Sequence, residues 1–336
     1  MRTCRPETAN EMVFPASSPI LITGAEGFVG AYLIRELLPL GVPVYGTYFI
    51  EESRHLNVLS EDRWVSCDLN DREAVFSLIR DLRPAFVYHL AGISFVPAAE
   101  SNRPRALATN VGGTLNLLEA LAELGTSPHL ILISSGEVYG KVPEEKGPLR
   151  EDLPLQPANF YAATKAASEK IAWPFHERGE IALTIFRPFN HIGPGQSPTF
   201  VTSDFARQVA RIALGQADSV VHVGDIDVYR DFTDVRDIVR GYRLGYEKFS
   251  PGGVFNLASG RVVAIREILE TLIAFSGKDI SVARDPERYR KAEVRKLRVD
   301  ISRFQAATGW APRIPIARTL RDVYEDWLRR LSGDGA

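Results

Sequence analysis

Short apolar runs alternate with longer segments of helical period along most of the chain. Examples of the apolar runs are PILITG (19–24), RWVSCD (63–68), AFVYHLAG (85–92) and HLILISS (129–135). Continuous apolar runs of this length are typical of strands that are buried on both faces, and the helical segments between them supply the crossovers that parallel strands require. The pattern therefore predicts a doubly wound parallel sheet covered by helices.

The pattern changes after IALTIFRPFN (181–190), where Gly- and Pro-rich segments replace the regular alternation. Two late helices are predicted near 264–276 and 316–331. We therefore expect an α/β chain in which a Rossmann-type sheet is followed by a smaller C-terminal α/β domain. The predicted division is a disordered tail of residues 1–18, a sheet domain of residues 19–187 plus roughly 218–262, and a C-terminal domain of residues 188–217 plus roughly 263–331.

The composition is that of an ordinary globular chain. The 336 residues are 45% hydrophobic, and 40 basic against 42 acidic side chains give a formal net charge of −2. Because no basic block stands out and no apolar run approaches the roughly 20 residues of a membrane span, neither a nucleic acid nor a membrane is expected as a partner. Cys4 and Cys67 form no metal-spaced cluster. This predicts a cytoplasmic protein with small-molecule partners and no metal.

Three glycines follow the first predicted strand at intervals of three residues. They are Gly24, Gly27 and Gly30 in TGAEGFVG. Glycine at these places lets the backbone turn tightly and approach a pyrophosphate, whose charge is stabilised by the positive N-terminus of the following helix. The motif predicts a dinucleotide site, with the alternative that the glycines serve only the packing of the turn.

The end of the second strand commonly carries an acid that binds a ribose hydroxyl in dinucleotide-binding folds. In VPVYGTYFIEE, this place is taken by Thr47 and Tyr48, and Glu51 and Glu52 come too late to be clear substitutes. The sequence therefore leaves the choice between NAD and NADP open. Asp68, at the end of the third strand, is placed either to meet the adenine or to cap the next helix.

A tyrosine and a lysine four residues apart indicate acid–base chemistry. Tyr161 and Lys165 in YAATK lie one helical turn apart on one face. The neighbouring ammonium is expected to lower the pKa of the phenol from its ordinary value near 10 toward the working range. Ser135, at the end of HLILISS, is placed to hold a carbonyl oxygen against Tyr161. A chance spacing of structural residues is the alternative.

The chain resembles the extended short-chain dehydrogenase/reductases that act on nucleotide sugars. The resemblance rests on TGAEGFVG, HLAG, SSGEVYG, YAATK and RPFN, and extends from about Pro19 to Leu331. It implies NADH or NADPH as the cofactor and a catalytic triad of Ser135, Tyr161 and Lys165, with Lys165 also on the nicotinamide ribose. It also implies that the predicted sheet domain is a dinucleotide-binding domain, and that the smaller C-terminal α/β domain is the substrate domain, a sugar-nucleotide-binding domain. The implied cofactor contacts are Gly24, Gly27, Phe28, Val29, Gly30, Asp68, Leu69, Leu90, Ala91, Gly92, Asn110, Tyr161 and Lys165.

Later segments resemble the substrate side of the same family. Asn190 in RPFNHIGPGQ matches a residue near the phosphates of the sugar nucleotide, and Arg230 in YRDFTDV matches an arginine on the same nucleotide. A guanidinium gives a fixed fork of donors that suits a diphosphate. Arg290 and Glu293 in RKAEV resemble a segment that contacts a GDP half, with a solvated charged face as the alternative. Asn110 matches an asparagine that supports the active-site helix, or is an ordinary helix residue.

Position 136 bears on the choice between two activities of this family. RPFNHIGPGQ and VGDIDVYRDFTDV resemble most closely the GDP-4-keto-6-deoxy-D-mannose reductases, which make GDP-D-rhamnose. Loss of water from GDP-mannose needs a base at C5 and an acid at C6 besides hydride transfer, and the dehydratases carry Asp or Ser and then Glu after the triad hydroxyl. Here Gly136 has no side chain to act, and Glu137 is a leftover base, a substrate contact or a residue that holds a loop.

The predicted activity is NAD(P)H-dependent reduction of the C4 ketone of GDP-4-keto-6-deoxy-D-mannose to GDP-D-rhamnose. A GDP-mannose 4,6-dehydratase or a bifunctional enzyme is the first alternative, and a non-catalytic protein that binds sugar nucleotides is the second. The resemblance also implies a homodimer through a four-helix bundle, formed by the helices around 107–124 and 161–177. The apolar stripe of Leu115, Leu118 and Leu121 faces either the partner or its own core.

Overall fold

The computed structural model describes residues 18–49, 56–248, 251–286 and 296–333. Its strands are β1 Ile20–Thr23, β2 Val44–Tyr48, β3 Trp64–Ser66, β4 Phe86–His89, β5 His129–Ile133, β6 Ala182–Pro188, β7 Asn190–Ile192, β8 Val220–Val223, β9 Tyr229–Asp234, β10 Gly253–Leu257, β11 Val262–Ala264 and β12 Ser281–Arg284. Its α-helices are α1 Phe28–Leu37, α2 Arg72–Leu82, α3 Val96–Ser101, α4 Arg103–Leu107, α5 Gly113–Glu123, α6 Phe160–Glu177, α7 Val201–Ala213, α8 Val235–Lys248, α9 Ile265–Ser276, α10 Ser302–Thr308 and α11 Ile316–Ser332.

Seven parallel strands form the central sheet, in the order β10-β6-β5-β4-β1-β2-β3. Strands β1, β4 and β5 are buried along their whole length, which explains their uninterrupted apolar sequences. Helices α2 and α5 pack over one face, and α1 and α8 pack over the other. The predicted Rossmann-type α/β fold is confirmed.

The remaining strands form two small sheets. Strands β11, β9 and β7 make one, and β12 and β8 make the other. Together with α7, α9 and α11 they enclose a second hydrophobic core. The two late helices predicted from the sequence correspond to α9 and α11.

The segment 218–262, which we expected to complete the dinucleotide-binding domain, is divided between the two cores. Helix α8 and strand β10 contribute to the core of the large sheet. Strand β8 and part of β9 instead direct Val221, Val223 and Phe232 into the second core, since their partners are the late strands and helices. The assignment of each part to a cofactor or a sugar nucleotide stays a proposal.

Two sequence features have a direct outcome in the fold. Leu118 and Leu121 lie on α5 and are fully buried, whereas Leu115 on the same helix is 38% exposed, so two members of the apolar stripe face their own core.

Within the described ranges, no helix combines the length and the apolarity that crossing a bilayer requires. Residues 1–17, which hold Cys4 and nearly all of the predicted tail, lie outside the described residues.

Buried histidines make the stability of the fold sensitive to acid. His89 lies between the hydroxyls of Thr23, at 2.7 Å, and Thr114, at 2.9 Å. Burial, followed by the charge of Lys165, lowers the pKa of His89 to about 3. Burial likewise lowers the pKa of His129 to about 4. Both rings are therefore neutral in the folded protein at neutral pH.

We expect the free energy of unfolding to fall as the pH drops below about 6.5. The unfolded chain then binds protons that the folded chain excludes, so each of these histidines removes up to about 1.4 kcal/mol per pH unit until its folded pKa is reached. Above that window neither group changes stability with pH. Urea denaturation at several pH values between about 7.5 and 5 measures the slope, and a free energy independent of pH over this range would contradict the account.

Candidate functional site

A large cavity with a volume of about 1240 Å³ is lined by the residues that follow β1 to β5. It continues past the end of β6 to the first turn of α7. The carboxyl ends of parallel strands converge at one edge of the sheet, where ligands of this fold bind. The predicted site residues that line the cavity are Gly24, Gly27, Phe28, Val29, Gly30, Asp68, Leu69, Leu90, Ala91, Gly92, Ser135, Glu137, Tyr161, Lys165, Asn190 and Arg230.

The glycine-rich turn fits a dinucleotide pyrophosphate. A Cβ added to Gly24, whose φ is +68°, would lie 2.7 Å from the Cα of Ala91, and one added to Gly30 would lie 2.4 Å from the carbonyl oxygen of Ala25. These two glycines therefore allow close packing of backbone against backbone. Gly27 meets little in the protein, since only the carbonyl oxygen of Gly24 lies within 4 Å, at 3.3 Å. It opens α1, whose N-terminus faces the cavity and favours an anion.

Asp68 does not cap the helix that follows it. Its Oδ1 accepts hydrogen bonds from the backbone N and the side-chain Nδ2 of Asn70, at 2.9 and 2.8 Å. The N-cap of α2 is Asp71, whose Oδ1 accepts from the backbone N of Ala74 at 3.1 Å. The prediction that Asp68 caps α2 is therefore wrong, because the N-cap position of this helix is three residues further along the chain. A contact with adenine stays a prediction.

The first turn of α6 presents Tyr161 to the cavity. Asn159 caps this helix by accepting from the backbone N of Ala162 at 2.8 Å. The Nδ2 of Asn159 also donates to Oε2 of Glu137 at 3.1 Å. Glu137 follows the end of β5, and its backbone N donates to Oγ of Ser135 at 3.1 Å. These hydrogen bonds connect the end of β5 to the start of α6. They give a structural basis for one of the roles left open for Glu137, that of a residue that holds a loop.

Ser135, Tyr161 and Lys165 are brought together at the end of β5. Burial raises the pKa of Tyr161 to about 12, a hydrogen bond with Ser135 lowers it, and the charge of Glu137 raises it. Burial lowers the pKa of Lys165 to about 8, opposed by the charge of Glu169. The expected lowering of the pKa of Tyr161 by Lys165 is wrong for this structure, because burial dominates and Nζ of Lys165 donates to the carbonyl oxygen of Ile133 at 2.8 Å.

A buried ion pair lies behind Lys165. Glu169, one turn further along α6, accepts from Nε and Nη2 of Arg187 on β6 at 2.9 and 2.7 Å. Ser134, next to Ser135, donates its hydroxyl to the same carboxylate. The two charged side chains are only 2% and 6% exposed. The network fixes the end of β5 against α6, so it positions the residues that face the cavity.

Asn110 connects the loop after β4 to the helix that carries Tyr161. It lies in a π-helical turn between α4 and α5 and is buried. Its Oδ1 accepts from the backbone N of Ile93 at 2.7 Å, and its Nδ2 donates to Oγ1 of Thr164 at 2.9 Å. Asn110 is a predicted cofactor contact that does not line the cavity. Its contacts correspond to the supporting role that the resemblance implied.

The far end of the cavity carries the predicted substrate residues. Asn190 donates from Nδ2 to the carbonyl oxygen of Asp231 at 3.1 Å, and Arg230 donates from Nη1 to the carbonyl oxygen of Tyr229 at 2.8 Å. Burial lowers the pKa of Arg230, opposed by the charges of Glu137 and Asp225. Arg290 and Glu293 lie outside the described residues.

Gly136 is closed off by an aromatic ring. A Cβ added there would lie 2.5 Å from Cε1 of Phe189, which follows β6 and also lines the cavity. The ring of Phe189 is stacked on that of Tyr139, with centroids 6.4 Å apart. The space into which a side chain at position 136 would project is therefore occupied by ring carbons of Phe189, which cannot transfer a proton.

The geometry combines a glycine-lined anion cradle, a Tyr–Lys–Ser cluster and an arginine at the opposite end. The family model of GDP-mannose 4,6 dehydratase matches residues 21–323. The chain belongs to the GDP-mannose 4,6 dehydratase family. The resemblance to short-chain dehydrogenase/reductases of nucleotide sugars, stated from the motifs, is confirmed.

Relatives in and near this family match the chain over almost its whole length. A GDP-6-deoxy-D-mannose reductase of Pseudomonas aeruginosa is 38% identical over 319 residues, which are 93% of this chain and 98% of the relative. The solved structure of RMD from Pseudomonas aeruginosa complexed with NADPH has a TM-score of 0.83 at 36% identity, covering 94% of this chain and all of that one. The UDP-glucose 4-epimerase of Thermus thermophilus in complex with NAD has a TM-score of 0.80 at 26% identity, covering 92% and 98%.

Several residues that lie in or behind the site of this chain were not identified from its sequence. Glu26 lies inside the glycine motif, Arg187 and Phe189 lie inside RPFN, and Glu169 lies four residues after YAATK. The signal that could have found Arg187 is a charged residue that directly follows the apolar run of β6, because a lone buried guanidinium requires a partner. Glu26 and Phe189 carry no such signal.

Proposed function

We propose that this chain is an oxidoreductase that uses NADH or NADPH to reduce the C4 ketone of GDP-4-keto-6-deoxy-D-mannose, giving GDP-D-rhamnose. The observation that carries the proposal is the convergence of Ser135, Tyr161 and Lys165 in the cavity that the glycine-rich turn also lines. Identity to a GDP-6-deoxy-D-mannose reductase supports the choice of substrate. Neighbours solved with NADPH and with NAD support a nicotinamide cofactor.

Tyr161 is the proton donor in this proposal. The bound dinucleotide supplies a hydride. A pKa of about 12 keeps the proton on the phenol at neutral pH, where it is available to the C4 oxygen as negative charge develops there. Ser135, whose hydroxyl lowers the pKa of the phenol, orients that oxygen. Lys165, whose Nζ donates to the carbonyl oxygen of Ile133, keeps the role on the nicotinamide ribose that the resemblance implies.

The nucleotide end of the substrate is assigned to Arg230 and Asn190. Burial disfavours the charge of Arg230, and a diphosphate beside it supplies a compensating negative charge in a geometry that the guanidinium fork matches. Arg290 and Glu293 keep their proposed contact with the GDP half of the substrate, on the strength of the sequence resemblance.

Position 136 supports a reductase over a dehydratase. Reduction of a ketone needs one hydride and one proton, whereas dehydration needs a further acid and base. The ring of Phe189 occupies the space beside Gly136 in which one of these groups would project. A dehydratase is the second candidate, favoured by the exposed carboxylate of Glu137 in the cavity close to Tyr161.

Incubation with GDP-mannose tests the proposal. We expect purified protein to leave GDP-mannose unchanged when it is alone with NADH or NADPH. When a GDP-mannose 4,6-dehydratase is added, we expect oxidation of the cofactor and a sugar that has gained two hydrogens relative to the 4-keto intermediate. Loss of water without the added enzyme would favour the dehydratase. Binding of GDP-sugars without any turnover would favour a non-catalytic binding protein.

We propose a homodimer formed by a four-helix bundle of α5 and α6 from each subunit. Its support is Leu115, which lies on α5 and is 38% exposed, and Leu107, which is 50% exposed in the preceding helix.

Replacing Leu115 with Glu places a charge in this interface, so we expect monomers in analytical ultracentrifugation. The same replacement at Leu214, also 38% exposed, is the matched control and should leave dimers. A wild-type monomer, or a dimeric Leu115→Glu variant, would contradict the bundle.

We also propose a reducing, cytoplasmic location. Cys67 is a free and buried thiol. Burial, with smaller contributions from Asp68 and Asp71, raises its pKa to about 11. The thiol therefore stays protonated and unreactive at neutral pH, as is typical of a structural cysteine in a reducing compartment.

A further inference from the structure

Two aromatic side chains from different parts of the fold meet in the cavity. The ring of Phe95, in the segment between β4 and α3, contacts the ring of Phe200, which directly precedes α7. Their centroids lie 5.8 Å apart, edge to face, with an angle of 71° between the planes. Both residues line the cavity. Because β4 belongs to the central sheet and α7 to the second core, the pair spans the cavity from one core to the other.

The backbone fixes both aromatic residues at the start of a helix. Phe95 is the N-cap of α3, and its carbonyl oxygen accepts from the backbone N of Ala99 at 3.1 Å. Phe200 is the N-cap of α7, and its carbonyl oxygen accepts from the backbone N of Asp204 at 2.9 Å. Each ring therefore extends from a position that the first turn of a helix holds in place.

Apolar residues continue this surface towards Tyr161. Val96 and Val201, which directly follow the two aromatic residues, also line the cavity. Val96 packs against the small hydrophobic cluster that contains Tyr161. We use the term apolar wall for Phe95, Val96, Phe200 and Val201. The apolar wall therefore reaches the neighbourhood of the phenol that the proposed reaction uses.

The proposed substrate has one apolar substituent close to the reacting carbon. In the proposed reaction the C4 oxygen lies at Tyr161 and Ser135. C4 is bonded to C3, which carries a hydroxyl, and to C5, which carries the C6 methyl group. A methyl group gains free energy when it is buried against carbon, whereas a hydroxyl at the same place loses water without gaining a hydrogen bond.

We propose that the apolar wall binds the C6 methyl group, and that Phe95 and Phe200 thereby make the site select 6-deoxy sugars over sugars with a C6 hydroxyl. The inference rests on the proposed function, which places C4 at Tyr161. It adds the part of the protein that distinguishes the substrate from a sugar that has not lost its C6 oxygen.

GDP-D-rhamnose and GDP-D-mannose test this selection, because they differ only in the C6 hydroxyl. Calorimetry measures the binding of each to the full-length protein saturated with NADH or NADPH, which leaves both C4 alcohols unreacted. We expect GDP-D-rhamnose to bind about 10- to 100-fold more tightly, the range in which an apolar pocket rejects an added hydroxyl.

Replacement of either ring tests its part in the selection. Phe95→Ala and Phe200→Ala each let water reach C6, so the ratio of the two affinities should fall to less than about threefold, mainly through weaker binding of GDP-D-rhamnose. Phe95→Leu keeps an apolar side chain and should keep the ratio within about threefold of the wild type. Phe275→Ala is the matched control, since Phe275 packs against Tyr324 outside the cavity lining, and it should preserve the ratio.

Equal affinities in the wild type, or a wild-type ratio in both alanine variants, would overturn the inference. A melting temperature close to that of the wild type identifies the folded variants on which this comparison is made. If the affinities are equal and the protein still reduces the 4-keto sugar in the coupled reaction, the inference fails and the proposed function stands. If neither sugar nucleotide binds and the coupled reaction gives no product, both fail.

Discussion

Replacing Tyr161 with Phe is expected to lower kcat/KM for the 4-keto sugar by about 10²- to 10⁴-fold, the range in which general acid catalysis contributes. The ring stays in place, so the change removes only the hydroxyl that Ser135 contacts and that carries the transferred proton. Because the glycine-rich turn and Lys165 are untouched, we expect the affinity for the dinucleotide to change by less than about threefold. Steady-state kinetics and calorimetry on the same preparation measure the two quantities.

Tyr246→Phe is the matched control for this experiment. Tyr246 lies on α8, outside the residues that line the cavity, and its ring packs against Phe86 with centroids 5.0 Å apart. We expect its kinetics to equal those of the wild type. A Tyr161→Phe enzyme that kept its full rate would contradict both the reductase and the dehydratase, since each uses this proton.

Replacing Glu169 with Gln is expected to reduce the free energy of unfolding by about 3–5 kcal/mol, the effect of leaving a buried charge without its partner. Arg187 would keep its charge at a position that is 6% exposed. The hydroxyl of Ser134 would lose its charged acceptor. With the opposing charge of Glu169 removed, the pKa of Lys165 should also fall further below its present value of about 8. Urea denaturation followed by circular dichroism measures the change in stability.

An exposed ion pair provides the comparison. Glu180 pairs with Arg178 at 2.7 Å, but the two side chains are 34% and 53% exposed, so Glu180→Gln should leave the stability close to that of the wild type. The double variant Glu169→Met, Arg187→Met removes both buried charges and should recover about half of the loss or more. A Glu169→Gln variant as stable as Glu180→Gln would show that the buried pair contributes little to the fold.

Much of the site could be predicted because it lies at strand ends. Gly24, Asp68, Gly92 and Ser135 each follow an apolar run, and parallel topology brings such positions to one edge of the sheet. The spacing of Tyr161 and Lys165 required only one helical turn to be formed. These inferences depend on local periodicity and on a single rule of chain topology.

The parts that could not be predicted depend on contacts between separate elements. Glu169 lies among the small and polar residues of YAATKAASEK, where a glutamate is normally exposed. Its burial depends on the packing of α6 against Arg187 of β6, which no sequence spacing specifies. Likewise, Glu26 reaches β2 and Phe189 covers Gly136 only once the turns have taken their final positions. The pKa of Tyr161 was misjudged because its burial could not be foreseen.

The most direct test of the central claim is the destination of the hydride. Coupled reactions with NADH or NADPH deuterated at C4 of the nicotinamide, in each of the two configurations, can be followed by proton NMR of the product sugar. The account predicts that one of the two deuterated cofactors places deuterium at C4 of the 6-deoxy sugar and nowhere else, because Tyr161 supplies the only other hydrogen. Deuterium at C6, or a product without deuterium from either cofactor, would contradict a C4 ketone reductase.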